Sequence, residues 1–311
     1  MNIVVTGCAG FIGSHAAERL VKSGHNIIGI DKMTYAARTK NMSAFIEDIE
    51  FYEMDICETQ SLNNLLIDKN VDWIINFAAE SHVDNSIKDC DRFIHSNIMG
   101  VKSLLEVCKK TKAKFMQIST DEVYGSATQG SFNENSQLDP KNPYSATKAA
   151  AEHFVRAYHN TYDISYTIVR MSNNFGPRQH KEKLIPTVVR CILDGKKVPV
   201  YGTGMNVRDW FYVRDCAAMI HKVLEHGKIN ETYNLTLNNE RTNLEIIEMI
   251  AKEMGKNLSE VVEFVKDRPG HDFRYSISNN KVLEIPVIHS KTDMKTAIQK
   301  TIREVRNEHR P

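Results

Sequence analysis

The side chains best suited to chemistry crowd into residues 119–148. Ser119-Thr120-Asp121-Glu122-Val123-Tyr124-Gly125 opens this stretch, and Tyr144-Ser145-Ala146-Thr147-Lys148 closes it. The first piece follows Phe115-Met116-Gln117-Ile118, a run that reads as a buried strand. Thr120, Asp121 and Glu122 therefore fall at a strand's carboxyl end, where open α/β sheets bind ligands. Tyr144 and Lys148 stand four apart, so one helical face carries both. An ammonium beside a phenol favours phenolate, which predicts a lowered tyrosine pKa and a base usable near neutral pH. Tyr-x-x-x-Lys and Asp-Glu are each common on solvated surfaces. Their weight comes from what flanks them.

The elements that position these groups alternate strand and helix from the start. Asn2-Ile3-Val4-Val5-Thr6 is a strand, Gly7-Cys8-Ala9-Gly10-Phe11-Ile12-Gly13 a turn, and Ala16, Leu20 and Val21 mark a helix that Gly24 ends. Asn26-Ile27-Ile28-Gly29-Ile30 is a second strand, closed by Asp31. This βαβ unit with glycines at its first turn predicts dinucleotide binding. Gly7 permits the tight turn, Gly10 a close backbone approach to pyrophosphate at a helix N-terminus, and Gly13 close helix–strand packing. Asp31 suits the ribose hydroxyls of NAD and disfavours a 2′-phosphate, with Lys32 and Arg38 acting against that preference. Further strands are expected at 51–54, 72–77, 113–118 and 165–170, and helices at 59–68, 91–110 and 144–162. Asp55 and Ile56, after the third strand, are placed to flank the adenine. The fold expected is α/β: a Rossmann-type doubly wound parallel sheet over 1–177, with a smaller α/β, mainly substrate-binding domain over 178–311. That second part reads as helices near 182–194, 215–226 and 243–254 and strands near 198–201, 231–235 and 261–265. The helix at 293–308 carries charges on most faces and is expected to be a solvated cap.

Composition narrows the class. The chain has 311 residues, with 40 Lys and Arg against 39 Asp and Glu. No bulk basic field invites nucleic acid, and no apolar run suits a membrane helix. With no basic leader and apolar core at the start, and six scattered cysteines (8, 57, 90, 108, 191, 216) lacking any Cys-x-x-Cys pair, a reduced cytoplasmic protein is expected. No His-Glu-x-x-His spacing is present, and no metal is expected. The second half carries compact basic and aromatic motifs, Arg208-Asp209-Trp210-Phe211 and Asp267-Arg268-Pro269-Gly270-His271-Asp272. Two arginines suit bidentate binding of a diphosphate, and a ring such as Tyr201 could stack on a nucleobase.

Over residues 1–278 the chain resembles the extended short-chain dehydrogenase/reductases, specifically the nucleotide-sugar 4,6-dehydratases. The motifs are Thr-Gly-Cys-Ala-Gly-Phe-Ile-Gly-Ser (6–14), Asp-Lys-Met-Thr-Tyr-Ala (31–36), Ala-Ala-Glu-Ser-His-Val-Asp (78–84) and Ser-Thr-Asp-Glu-Val-Tyr-Gly (119–125). Tyr144 with Lys148, Asn-Asn-Phe-Gly-Pro (173–177), Glu-Lys-Leu-Ile-Pro (182–186), Arg-Asp-Trp (208–210) and Asp-Arg-Pro-Gly-His-Asp (267–272) complete the match. The resemblance implies Thr120, Asp121, Glu122, Tyr144 and Lys148 as catalytic. For NAD it implies Gly7, Gly10, Phe11, Ile12, Gly13, Asp31, Lys32, Asp55 and Ile56. Ala78, Ala79, Ser81, Asn97, Tyr144, Lys148 and Asn174 complete that set. For the nucleotide-sugar it implies Ser81, Asn173, Lys183, Leu184, Tyr201, Arg208, Asn243, Arg268 and His271, alongside Thr120, Asp121 and Glu122.

The implied reaction oxidises the sugar at C4, which acidifies the C5 proton, then eliminates water across C5–C6 and returns hydride to C6. Tyr144 and Lys148 serve the oxidation, Thr120 holds the C4 oxygen, Glu122 is the base at C5 and Asp121 the acid at the C6 hydroxyl. Adjacent carboxyls can hold opposite roles because like charge and burial raise one pKa. Glucose or N-acetylglucosamine on a thymine or uracil nucleotide would serve as substrate. A 4-epimerase or decarboxylase, a dehydratase that also epimerises C5, and a non-catalytic NAD-binding regulator are the rival readings. The epimerase has no use for Asp121 as an acid, and the regulator no use for the full set. Three departures stand out. Cys8 replaces a usual glycine and is expected to sit beside the cofactor, Asn85 replaces a usual arginine, and 279–311 lacks the family's Leu-Gly-Trp-x-Pro segment. The helices at 91–110 and 144–162 carry apolar residues beyond one sheet face, and the resemblance implies a homodimer through them.

Overall fold

The computed structural model describes residues 1–267, 272–286 and 291–309. In the first half, β1 (Asn2–Thr6), α1 (Phe11–Lys22), β2 (Asn26–Asp31), β3 (Ile49–Glu53), α2 (Thr59–Leu66) and β4 (Trp73–Asn76) follow the expected alternation. Next come α3 (Val83–Lys88), then α4 (Asp91–Ile94) and α5 (Gly100–Thr111), joined by one π turn at His95–Met99. β5 (Lys114–Thr120), α6 (Pro143–Tyr162), β6 (Tyr166–Met171) and β7 (Asn173–Phe175) close this half. The second half contains α7 (Leu184–Leu193), β8 (Val198–Tyr201), β9 (Val207–Tyr212), α8 (Val213–His226) and β10 (Glu231–Leu235). It ends with β11 (Glu240–Thr242), α9 (Asn243–Glu253), α10 (Leu258–Val261), β12 (Val262–Val265), α11 (Asn280–Leu283) and α12 (Met294–His309).

The main sheet has seven parallel strands in the order β10-β6-β5-β4-β1-β2-β3. The order reverses between β1 and β4, and the ends of these strands open a crevice for ligands. Both sheet faces are covered, so successive residues of a strand enter opposite cores. On β1, Val4 joins Ile28, Ile74, Leu104, Phe115 and Ile168. Its neighbours Ile3 and Val5 join Leu20, Ile75, Met116, Val169 and Ile220. β10 follows residue 178 in the chain but pairs with β6 in the main sheet, and α8 packs on α1. A third core gathers α7, α9 and α12 with β8 and β9. It sits beside the small sheets β11-β9-β7 and β12-β8.

α12 is not the solvated cap expected of it. Ala297, Ile298, Thr301, Ile302 and Val305 are buried, at a spacing that puts them on one helical face against α7 and α9. The numerous charges occupy the remaining arc. Near its end, Glu308 accepts from Arg38 Nη1 with both oxygens, each at 2.9 Å, tying α12 to the loop after β2.

Candidate active site

The cofactor side is built by the turn after β1. Gly7 has φ +69°, and a Cβ there would lie 2.7 Å from the Ala78 nitrogen. A Cβ on Gly13 would lie 2.2 Å from the Gly7 carbonyl oxygen, so α1 packs directly onto the turn. α1 starts after Gly10 with no side-chain cap and no acid in its first turn, leaving its N–H groups and their dipole for an anion. The groove in front is lined by Gly7, Gly10, Asp31, Lys32, Asp55, Ile56, Ala78 and Ala79. Asp31 accepts from the Ala9 and Met33 backbone N–H groups, both at 2.9 Å, which fixes its carboxylate at the end of β2. Burial raises its pKa. Lys32 Nζ lies 2.5 Å from Asp55 Oδ2, and Arg38 is held by Glu308. Both cations that could have welcomed a 2′-phosphate are engaged by carboxylates, and the groove suits NAD.

Cys8 does not sit beside that groove. Its side chain is fully buried, with Sγ 3.9 Å from Met42 Sδ and 2.8 Å from where a Gly29 Cβ would stand. The missing side chain at Gly29 makes room for the thiol in the core. Asn97 is also turned inward. Its amide accepts from Glu80 N at 2.9 Å and donates to Glu80 O at 3.0 Å and Thr147 Oγ1 at 2.9 Å. It pins the Ala78–Ser81 loop and does not line the groove. Gly13 likewise acts through packing.

At the end of β5, Thr120 caps a 3-10 turn over Asp121–Tyr124, its hydroxyl accepting from Glu122 N at 3.3 Å and donating to Asp121 Oδ1 at 3.2 Å. Asp121 is buried, and its Oδ2 has no hydrogen-bond partner among the described residues. Burial, reinforced by the charge of Glu122, pushes its carboxyl well above the usual range, with Arg208 pulling the other way. Glu122 faces Asn142 Nδ2 at 3.3 Å and the Tyr275 hydroxyl at 3.4 Å. α6 begins where it does because Asn142 and Ser145 form a reciprocal capping box with Pro143 at the first position. Tyr144 is thereby placed one residue inside the helix, its phenol hydrogen-bonding with Thr120.

The expected lowering of the Tyr144 pKa is overturned. Burial raises it, and Glu122 and then Asp121 raise it further through like charge, while the Thr120 hydrogen bond acts against them. Lys148 is spent elsewhere: Nζ donates to the Ile118 carbonyl at 2.5 Å, and burial lowers its own pKa to about 8. The inference from spacing neglected the desolvation of both groups.

Thr120, Asp121, Glu122 and Tyr144 line one hollow with Phe11, Ile12, Ser81, Asn173, Asn174 and Lys183. It continues into a cleft of about 380 Å³. There Ser81, Asn173, Lys183, Leu184, Tyr201, Arg208 and Asn243 meet. Arg208 is buried, its guanidinium 4.4 Å from the centre of the Tyr275 ring, with Nη2 donating to Asp272 O at 3.0 Å. Arg268 and His271 lie outside the described residues. The sequence reading did not assign Tyr275, His82, Asp84, Glu182, Thr187 or Trp210 to this cleft. It also missed a buried support. Arg170 on β6 pairs with Glu152 on α6, Nη2 to Oε2 at 2.6 Å, and Glu152 accepts from Ser119 Oγ at 2.6 Å. Arg170 Nη1 also donates to the Tyr124 hydroxyl, which donates to Asn234 Oδ1 at 2.8 Å. This network ties the end of β5 to β6, α6 and β10.

The sequence profile of the family described as GDP-mannose 4,6 dehydratase matches residues 4–301. The low-salt glycan biosynthesis protein Agl12 of Haloferax volcanii is 44% identical over 285 residues, 90% of this chain and 91% of its own. The dTDP-glucose 4,6-dehydratase of Haemophilus influenzae is 40% identical over 91% of each chain. Among solved structures, the dTDP-glucose 4,6-dehydratase DesIV of Streptomyces venezuelae with NAD bound superposes with a TM-score of 0.95 at 37% identity, covering 99% of this chain and 97% of its own. The UDP-glucuronic acid 4-epimerase of Bacillus cereus, with UDP-glucuronic acid and NAD, superposes at 0.92 and 29% identity, covering 99% and 100%.

Proposed function

Because the chain belongs to the GDP-mannose 4,6-dehydratase family, we propose that it is an NAD-dependent nucleoside-diphosphate-hexose 4,6-dehydratase. Its substrates are dTDP- or UDP-glucose or UDP-N-acetylglucosamine, converted to the 4-keto-6-deoxy sugar. The observation that carries this reading is the inequality of the acid pair. Asp121 is buried beside Glu122, which raises its pKa and favours the neutral form, while Glu122 lines the cleft. A neutral carboxyl can protonate a leaving hydroxyl, and a neighbouring carboxylate can take a carbon-bound proton. A 4-epimerase needs neither.

NAD, held by the glycine turn, the α1 N-terminus and Asp31, supplies the acceptor and later the donor of hydride. Tyr144 and Thr120 bracket the C4 oxygen; burial and the acid pair raise the Tyr144 pKa, the positive charge of oxidised NAD would oppose that rise, and Tyr144 then takes the C4 hydroxyl proton. Lys148, one turn along α6 from Tyr144 and bonded to the Ile118 carbonyl, places its amine beneath the end of β5. Glu122 removes the C5 proton, and Asp121 delivers one to the departing C6 hydroxyl. Arg208, with the Tyr275 ring packed on it, engages the diphosphate. Tyr201, exposed at the far end of the cleft, stacks on the base.

The chain acts as a homodimer in this reading. Ile94 and Met99 from the α4–α5 helix and Phe154 and Tyr162 from α6 are exposed large apolar side chains on adjoining helices. All six cysteines are free, in keeping with a reducing cytoplasm. No helix among the described residues is long and apolar enough to cross a membrane.

Isotope tracing tests the assignment. With substrate deuterated at C4 the label is expected at C6 of the product, and in D₂O the product gains deuterium at C5. Glu122→Gln is expected to accumulate the oxidised, undehydrated sugar. Return of the label to C4 with inversion would identify an epimerase and remove Asp121 and Glu122 from these roles.

A further inference from the structure

A group of potential ligands outside the proton-handling site converges at the outer edge of the cofactor groove. Asp55, Cys57 and His95 each present one ligand atom, all within 4.8 Å of one another. Cys57 Sγ lies 3.3 Å from His95 Nδ1, and its thiol also hydrogen-bonds with Asp55. We propose that these three side chains form a site for a zinc-class divalent cation, antagonistic to the adenosine half of the cofactor.

The geometry and the donor types both fit. Zinc takes sulfur at about 2.3 Å and imidazole nitrogen at about 2.0–2.1 Å in a tetrahedron. Those lengths place sulfur and nitrogen about 3.6 Å apart. The observed separation needs only a small opening, which the exposed His95 can supply. The carboxylate is the third ligand, and water completes four. Cys57 loses its proton to solvent on coordination, so the ligands bring two negative charges to the cation. A second group, His25, His221 and Glu225, also gathers within 4.8 Å. It brings only one carboxylate, with Arg19 Nε 3.4 Å from His221 Nδ1 and Lys222 Nζ 2.7 Å from Glu225. Two nearby cations beside one carboxylate oppose a dication there.

The antagonism follows from Asp55. It lines the groove together with Lys32 and Ile56, and its Oδ2 is held by Lys32. A metal on that carboxylate takes it from Lys32 and from any ligand in the groove. By linkage, the cofactor and the metal then weaken each other by the same factor. This effect rests on the groove being the NAD site, whereas the metal site itself does not.

The test uses the full chain freed of cofactor, titrated with Zn²⁺ by calorimetry and with Co²⁺ by absorbance. One strong equivalent with a thiolate-to-cobalt charge-transfer band is expected. Cys57→Ala and His95→Ala should each weaken it by about 10²-fold or more, beyond the loss of an outer-shell partner. Both variants keep the His25 group, so metal binding that survives in them reports that group. NAD affinity, read by calorimetry, should fall with saturating Zn²⁺ in the unsubstituted chain and stay unchanged in both variants. Equal metal affinity in all three proteins, or the absence of the charge-transfer band, overturns the site. NAD affinity indifferent to bound Zn²⁺ overturns the antagonism. A chain that binds zinc with this band but never binds NAD would fail the functional reading alone.

Discussion

Lys148 gives a quantitative test of how burial sets the site's protonation. Its pKa falls from an ordinary 10.5 to about 8, mainly because the ammonium is desolvated, with Glu152 opposing. At 1.36 kcal/mol per unit, the charged form costs the fold about 3 kcal/mol. Lys148→Met removes the charge at similar length. It also forfeits the charged bond to the Ile118 carbonyl, worth about 1.5–3 kcal/mol, but that oxygen keeps Gln117 Nε2 at 3.0 Å. The variant should therefore be at least as stable as the parent at pH 7, by about 0–1.5 kcal/mol. The sign of the pH dependence follows from proton counts. Between pH 8 and 10.5 the unfolded chain still binds the Lys148 proton and the folded chain does not, so the parent gains stability as pH rises through this window. Below pH 8 both states are protonated and the penalty is constant. Denaturant unfolding of cofactor-free protein at pH 7 and pH 10 should show the advantage of Lys148→Met shrinking at the higher pH. A variant less stable than the parent at pH 7, or a difference indifferent to pH, would refute the desolvation argument. Activity should be lost in the variant whichever way its stability moves.

Asp121→Asn keeps the shape and neutrality of the buried acid, so it should fold normally, yet lose about 10²–10⁴ in the rate of water elimination with C4 oxidation less affected; single-turnover quench analysis separates the two steps. Phe154→Asp combined with Ile94→Asp should convert a dimer into a monomer in light scattering, and unchanged mass would place the interface elsewhere.

The fold was largely legible because βα alternation and a glycine turn are local signals. Parallel strands buried on both faces read as apolar runs, and each carboxyl end could be located from its run. What escaped depended on environment or on distant partners. α12 reads as charged because its apolar seam is only one residue in three or four, and that seam means nothing until α7 and α9 are in place. The fate of Cys8 was set by the space over Gly29, a residue on the next strand. Arg170 and Glu152 lie in a strand and a helix with no motif, and only their shared burial beneath Ser119 makes them a support. Asp55, Cys57 and His95 show no metal-ligand spacing in the sequence because His95 comes from a separate segment, at the start of the π turn.

The division of labour between Asp121 and Glu122 comes from the backbone that carries them. β5 ends at Thr120, whose side chain caps the following turn, and a 3-10 turn separates successive side chains by about 120°. Two acids adjacent in sequence must therefore point to different surroundings. Asp121 is turned into the interior, where the Thr120 hydroxyl donates to it and desolvation raises its pKa. Glu122 is turned into the cleft beside Asn142 and Tyr275, groups that can donate to a carboxylate. The pair is coupled: negative charge on Glu122 raises the cost of ionising Asp121, which favours keeping the proton on the acid. Like-charge coupling of this kind needs the two groups close, and rotation about one turn is what lets them be close without being equivalent. An acid pair on an extended strand would put the two side chains on opposite faces of the sheet, and one of them would never reach the sugar.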